Sequence, residues 1–304
     1  MKLTCATAVF NAIKSGNRER LIKCVETVSR LKTEHEHLIY DGASTDGTVD
    51  LLKELERTTP CLKVRSESDT GIYNALNKGI RDAQGEWFYV LGCDDYICNP
   101  RLMDRMISEL GDDCDVLAAS VRIEKGNGEL LTVFYPRFSE IYNNPSACHQ
   151  GEIIRTEIAK RLGGFDEQYR IAADSDMFLK AHLACCRFKY RREVFAALVG
   201  VGISATSTKE SQREHRASVA NVLKLRGRDR NLLMENRVLS FRMCFKLWNH
   251  DDVVIRQASR AMVVQHIRML VKKYLYPLVV ITRPLRYALK RRTTDNTRRQ
   301  AVCP

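Results

Sequence analysis

The chain has 304 residues, of which 44% are hydrophobic and 28% charged. That balance excludes wholesale disorder, a collagen-like repeat and a small disulfide-stapled scaffold, and it leaves room for two domains or one large domain with an appendage. The net charge of +12 is unevenly placed: residues 255–304 carry twelve Lys and Arg against one acid, Asp295, so the body is close to neutral and the tail is basic. This argues against a nucleic-acid-binding body and for a basic C-terminal attachment to something anionic.

The eleven cysteines form no Cys-x-x-Cys pair, so reduced, buried thiols are expected rather than a zinc site or a disulfide framework. The longest uncharged run, 194–208, and the apolar run 274–282 fall short of the roughly 20 apolar residues of a spanning helix. The N-terminus reads as a first strand rather than a signal peptide, since its apolar run lacks an Ala-x-Ala-like cleavage site.

In chain order, a β-branched run over 3–9 predicts a strand. Leu21, Ile22, Val25, Val28 and Leu31 recur at helical spacing over 18–31. A short strand over 37–40 runs into the turn-rich stretch Asp41 to Gly47, followed by a helix over 48–57 capped by Asp46 or Thr48. Residues 62–64 are strand-like, and 72–83 predict a helix with Ile72, Ala75, Leu76, Gly79 and Ile80 on one face. The continuous apolar run 87–91 predicts a strand covered on both faces, ending at Gly92-Cys93-Asp94-Asp95. A helix over 100–110 and a strand over 116–123 continue the alternation. Beyond these, 130–135 is strand-like, 156–162 and 174–185 are helical, and the chain from Glu210 onward reads as helix throughout.

This rhythm predicts a doubly wound α/β domain, with ligands bound beyond the carboxyl ends of its strands. The polar loops around Asn11, Asp41 and Asp94 all follow predicted strands and should share one rim. No Gly-x-Gly-x-x-Gly follows the first strand and no Walker A sequence is present, so a bound nucleotide would be held by acidic residues and a divalent metal.

Asp94-Asp95 fits Mg²⁺ or Mn²⁺, which take oxygen ligands and bridge carboxylates to a diphosphate; a helix cap before Pro100 is the plainer reading. Asp41 suits a base or ribose, or an Asx turn that shapes its loop. Asp69 could cap the helix after it, whose polar face (Asn74, Asn77, Lys78) reads as solvated surface. Asp174 and Asp176 stand two residues apart at a helix start, so one could cap and the other act as general base. His149, in a polar loop, is the best placed of the seven histidines.

Together these stretches resemble the family 2 glycosyltransferases with the GT-A fold, and in particular the bacterial branch that builds surface polysaccharides. The likeness runs in order from Asn11 through Asp41 to Thr48, Ser66 to Gly79, Gly85-Glu-Trp, Leu91 to Asp95, His149-Gln150 and Gly163 to Asp176, over about two thirds of the chain. It implies a catalytic domain over 1–205, a Rossmann-like, mixed but mostly parallel sheet flanked by helices, and a helical C-terminal region over 206–304.

The resemblance also implies an inverting transferase using a nucleotide-diphosphate sugar and Mg²⁺ or Mn²⁺. Asn11, Asp41, Asp69 and Asp94 would bind the donor, Asp41 at the nucleobase. Asp95 would be the foremost metal ligand with Asp94, and Asp174 the base, assisted by His149. Ala173 stands where many relatives have a glutamate, which keeps Asp176 as the alternative base.

The tail mixes Ile267, Leu270, Val271, Tyr274 and Leu275 with Arg268, Lys272 and Lys273. Such a basic amphipathic stretch suits an anionic leaflet, or a helix packed on the body with a solvated basic face. The expected acceptor is a lipid-linked or free saccharide, and the expected place the cytoplasmic face of the inner membrane. A nucleotidyltransferase and a non-catalytic membrane scaffold are the alternatives.

Overall fold

The computed structural model describes residues 1–136, 148–200 and 208–236. The first half follows the predicted alternation: β1 (Leu3–Val9), α1 (Arg18–Ser29), β2 (His35–Asp41), α2 (Thr48–Thr58), β3 (Leu62–Ser66), α3 (Ile72–Asp82), β4 (Trp87–Val90), β5 (Tyr96–Ile97), α4 (Pro100–Ser108) and β6 (Val116–Glu124). The second half holds β7 (Leu130–Phe134), a 3₁₀ turn at His149–Gly151, β8 (Glu152–Arg155), α5 (Thr156–Arg161), α6 (Ala173–Leu183), β9 (Phe188–Val199), α7 (Thr208–Val222) and α8 (Gly227–Asn236).

Nine strands among the described residues form one sheet in the order β3-β2-β1-β4-β8-β6-β9-β5, with β7 paired to β6. Strands β1 to β4 run parallel, and β8 runs antiparallel between β4 and β6. The loops after β1, β2, β3 and β4 therefore lie on one rim, and the reversed β8 brings its leading turn, His149–Gly151, to that same rim.

Side-chain alternation builds the core on both faces. Leu3, Cys5, Trp87, Tyr89, Leu117 and Ile153 pack with Cys24 and Val28 of α1 and with Met103 and Ile107 of α4. Their neighbours Ala6, Phe88, Val90, Val116 and Ile154 point the other way, onto Leu76, Ile80, Ile158, Met177 and Phe178 of α3, α5 and α6. Burying one such side chain is worth about 1.5–3 kcal/mol, so the uninterrupted apolar run of β4 anchors both layers.

Three strands carry no clear signal in the sequence. β5 has two residues and β8 four, and both are held by their partners. β9 is the larger surprise: its first half, Phe188 to Val194, interleaves four charged residues, and only Phe195 to Val199 is mostly buried. Contacts divide the chain into one compact unit, Met1–Leu239, and a second, Ser240–Pro304. The second unit, with the basic stretch 255–304, lies outside the described residues. No helix among the described residues is long and apolar enough to cross a membrane.

Candidate active site

Asn11, Asp41 and Asp69 meet on one side of the rim. Asn11 adopts a left-handed backbone (φ 47°) just past β1. Its N–H donates to Ser44 Oγ at 2.7 Å, and its Oδ1 accepts from Thr45 N at 3.1 Å. Asp41, 1% exposed at the end of β2, accepts from Ser44 N (2.9 Å), from Ser44 Oγ and from Ser66 Oγ (2.7 Å). A carboxylate offers about four acceptor directions, so most of Asp41's capacity goes to shaping this loop. A Cβ on Gly42 would lie 2.8 Å from Asp69 Oδ2, so the glycine lets the Asp69 carboxylate close over the Asp41 loop. Asp69 Oδ1 accepts from Gly71 N (2.9 Å), while the cap position of α3 has no side-chain hydrogen bond. Asp69 thus makes a local turn and does not cap the helix as anticipated.

The polar face of α3 is likewise not bare surface. Asn77 donates from Nδ2 to Phe165 O (2.9 Å) and accepts from Phe165 N at 2.8 Å. Asn74 and Asn77 also donate to Glu167. Tyr73 OH donates to Ile171 O at 2.6 Å. The helix grips the whole approach to α6.

Asp94 and Asp95 follow β4 and differ in setting. Asp95 is 3% exposed; its Oδ2 accepts from Gln150 Nε2 (2.7 Å) and its Oδ1 from Val199 N (2.9 Å). Burial, then the adjacent Asp94 charge, raise its pKa to about 6 against the pull of those two donors. Asp94 is half-buried, and no hydrogen-bond donor meets its carboxylate among the described residues. Both crowd over Gly92, where a Cβ would stand 2.5 Å from Asp95 Oδ2 and 3.2 Å from Asp94 Oδ1.

The turn before β8 joins this pair to α6. Gln150 holds Asp95, while its neighbour His149 places Nδ1 3.1 Å from Asp174 Oδ2. Burial works against a charged His149, but its hydrogen bond to Asp174 and the charges of Asp174, Asp95 and Asp94 outweigh it and raise its pKa. Asp174 stays partly exposed in the first turn of α6, its Oδ1 accepting from Ser175 N (2.7 Å). Asp176 is 1% exposed, accepts from Ser218 Oγ at 2.6 Å and pairs with Lys180 Nζ at 2.7 Å.

One acid here has no counterpart in the sequence reading. Glu152, the first residue of β8, is 4% exposed, and its Oε2 meets no partner among the described residues. Burial, then Asp174, push its pKa well above the usual carboxylate range. Only its place after His149-Gln150 could have pointed to it, because β8 itself was not legible.

Two adjacent carboxylates, one pinned from behind and one without a donor, fit a hard divalent cation. Among the described residues no three His, Cys, Asp or Glu side chains converge on a point. Mg²⁺ or Mn²⁺ held by one or two carboxylates and the phosphates of a substrate needs no such cage.

The model of Glycosyl transferase family 2 matches residues 5–195. A PGL/p-HBAD biosynthesis glycosyltransferase of Mycobacterium bovis is 25% identical over 167 residues, covering 52% of this chain and 62% of that protein. Chondroitin synthase of Escherichia coli is 28% identical over 167 residues, 53% of this chain and 24% of that one. The chain thus matches less than two thirds of the length of either relative. Among solved structures, S. aureus TarS in complex with UDP-GlcNAc superposes with a TM-score of 0.58 at 16% identity, over 91% of this chain and 92% of that one. A mannosyltransferase from Pyrobaculum calidifontis in complex with GDP-Man and Mn²⁺ gives 0.57 at 15% identity, over 94% and 82%. These likenesses establish the GT-A fold, and with the family match over residues 5–195 the chain belongs to glycosyl transferase family 2.

Proposed function

We propose that the chain moves a sugar, with inversion, from a nucleotide-diphosphate donor to a hydroxyl of a saccharide acceptor. The observation that carries this reading is the turn His149-Gln150, whose two side chains reach Asp174 and Asp95. It links a pair of carboxylates suited to a metal-bound diphosphate with a partly exposed carboxylate suited to proton removal. Support also comes from the family and from two structural neighbours described with UDP-GlcNAc and GDP-Man. Family membership favours glycosyl transfer over nucleotidyl transfer or a scaffold.

In this reading the loops of Asn11, Asp41 and Asp69 hold the nucleoside, with Asp41 at the base. Asp94 and Asp95 hold Mg²⁺ or Mn²⁺, which when bound offsets the charge gathering on the leaving diphosphate. The family resemblance favours Asp95 as the foremost ligand; with both its oxygens engaged, Asp95 is better suited to backing Asp94, which would face the donor. Asp174 takes the proton from the acceptor hydroxyl as that oxygen attacks the anomeric carbon on the face opposite the diphosphate. General-base help is worth about 10²–10⁴-fold. His149 orients Asp174. Asp176, spent on Lys180 and Ser218, is the structural partner of the two rather than the alternative base.

The basic stretch 255–304 favours a lipid-linked acceptor of surface-polysaccharide assembly over a free saccharide, met at the cytoplasmic face of the inner membrane. Each cation near an anionic leaflet contributes about 1 kcal/mol. Flotation with anionic liposomes tests the attachment: the full chain should float and a chain ending at residue 254 should not. Equal recovery of both rules the attachment out. The activity itself is tested by incubating the protein with Mn²⁺ or Mg²⁺, a panel of nucleotide sugars and saccharide acceptors. Release of nucleoside diphosphate supports the reading; pyrophosphate release, or no turnover across the panel, overturns it.

A further inference from the structure

Helix α6 begins without a cap of its own. Its cap position is Ala172, whose side chain can accept nothing, and the amides of 170–172 that lead into the helix need an acceptor from elsewhere. Glu214, on α7, supplies it. Glu214 Oε1 accepts from Arg170 N at 3.0 Å, and Oε2 accepts from Ile171 N at 2.8 Å and from Ala172 N at 3.0 Å. One carboxylate therefore gathers three consecutive amides at the positive end of α6, two residues before Asp174. Hydrogen bonds to a charged acceptor are about twice as strong as neutral ones, and the helix dipole adds to them.

The rest of the same α7 face points at the same segment. Ser218 lies one turn on from Glu214 and donates to Asp176; Asn221, nearly two turns on, donates from Nδ2 to Tyr169 OH at 2.8 Å. On the opposite side of the peptide, Ile171 O accepts from Tyr73 OH. The turn that aims Asp174 is thus gripped from α3 on one side and from α7 on the other, while the three hydrogen bonds of Glu214 go to the backbone and not to Asp174 or His149.

We propose that Glu214 is a positioning residue for the transfer reaction, holding the backbone of 170–172 so that Asp174 meets His149 and the acceptor hydroxyl. The proposal rests on the reading of Asp174 as the base. A misplacement of about 1 Å at a reacting group costs about 10²-fold in rate.

The test uses the full chain carrying Glu214→Ala, Glu214→Gln and Glu214→Asp, each checked for folding by circular dichroism. Gln keeps one carbonyl oxygen for the amides and provides the folded comparison should Ala lose structure. Amide hydrogen exchange should lose protection at residues 170–174 in the Ala variant and partly in the Gln variant, with the parallel strands unchanged. In the transfer assay kcat should fall about 10²-fold for Ala and less for Gln, while KM for the nucleotide sugar stays within about twofold. Unchanged protection at 170–174, or a lower melting temperature with unchanged kcat in the folded variants, overturns the proposal. Absence of turnover in the unaltered protein sinks the proposed function and this role with it; turnover that Glu214→Ala leaves intact sinks this role alone.

Discussion

Gln150 holds Asp95 from behind: its Nε2 donates to Asp95 Oδ2 at 2.7 Å, on the side of the carboxylate away from the Val199 N–H. This pairing fixes a buried acid beside a second acid, and it makes the site sensitive to anything that disturbs Asp95. A buried acceptor stripped of its donor costs about 1–3 kcal/mol. Gln150→Leu should lower unfolding free energy by that amount in urea titrations at pH 8. A variant as stable as the parent would mean that the bond contributes nothing.

Gly92 sets the approach of the pair. Since Asp95 is pinned at both oxygens, a methyl group 2.5 Å from Oδ2 displaces a buried side chain rather than a loose one. Gly92→Ala should cost about 1–3 kcal/mol and weaken Mn²⁺-dependent binding of a nucleoside diphosphate. Calorimetric titration with and without Mn²⁺ reads the second effect; binding equal to the parent contradicts the account.

Glu152 gives a pH signature. Its folded-state pKa is raised, so the unfolded chain ionises first and the folded form loses stability as pH rises above the ordinary glutamate value of about 4.3. Glu152→Gln removes that slope. Its melting temperature should match the parent near pH 4 and exceed it at pH 8. A difference that does not grow with pH contradicts a raised folded-state pKa for the buried Glu152.

Asn77 clasps Phe165 through both its amide oxygen and its amide nitrogen, and so carries the turn that leads to α6. Asn77→Ala frees two backbone groups and should destabilise by about 1–3 kcal/mol, read from urea denaturation. Loss within experimental error would make the clasp incidental.

Much of this architecture was legible from the chain. Parallel strands with helices between them announce themselves through apolar runs such as 87–91 and helical spacings such as 72–80, and strand ends then predict which loops share a rim. Asp41, Asp94 and Asp174 stand out as a set in order along the chain, since a turn or a cap explains each of them singly. What stayed hidden depends on partners distant in sequence. β8 is four residues whose strand character comes from β4 and β6, so Glu152 could not be seen as a buried acid. β9 mixes charge into its first half because that part is only partly buried. Asn77 reads as a solvated helix face until the turn at Phe165 folds onto it, and Glu214 lies in a stretch legible only as helix until α7 packs on α6. Asp94 and Asp95 are separated in the sequence only by the family resemblance; in the fold, burial and the donors Gln150 and Val199 N distinguish them.

The central claim is that Asp94 and Asp174 serve one reaction in different ways, the first through the metal-bound donor and the second through the acceptor proton. Nucleoside diphosphate release and Mn²⁺-dependent donor binding should be measured on Asp94→Ala and Asp174→Asn side by side. The account predicts that both lose turnover, Asp174→Asn by about 10²–10⁴-fold with donor binding retained, and Asp94→Ala with donor binding lost. An Asp174→Asn protein that turns over like the parent, or an Asp94→Ala protein that still binds donor in a Mn²⁺-dependent manner, would contradict it.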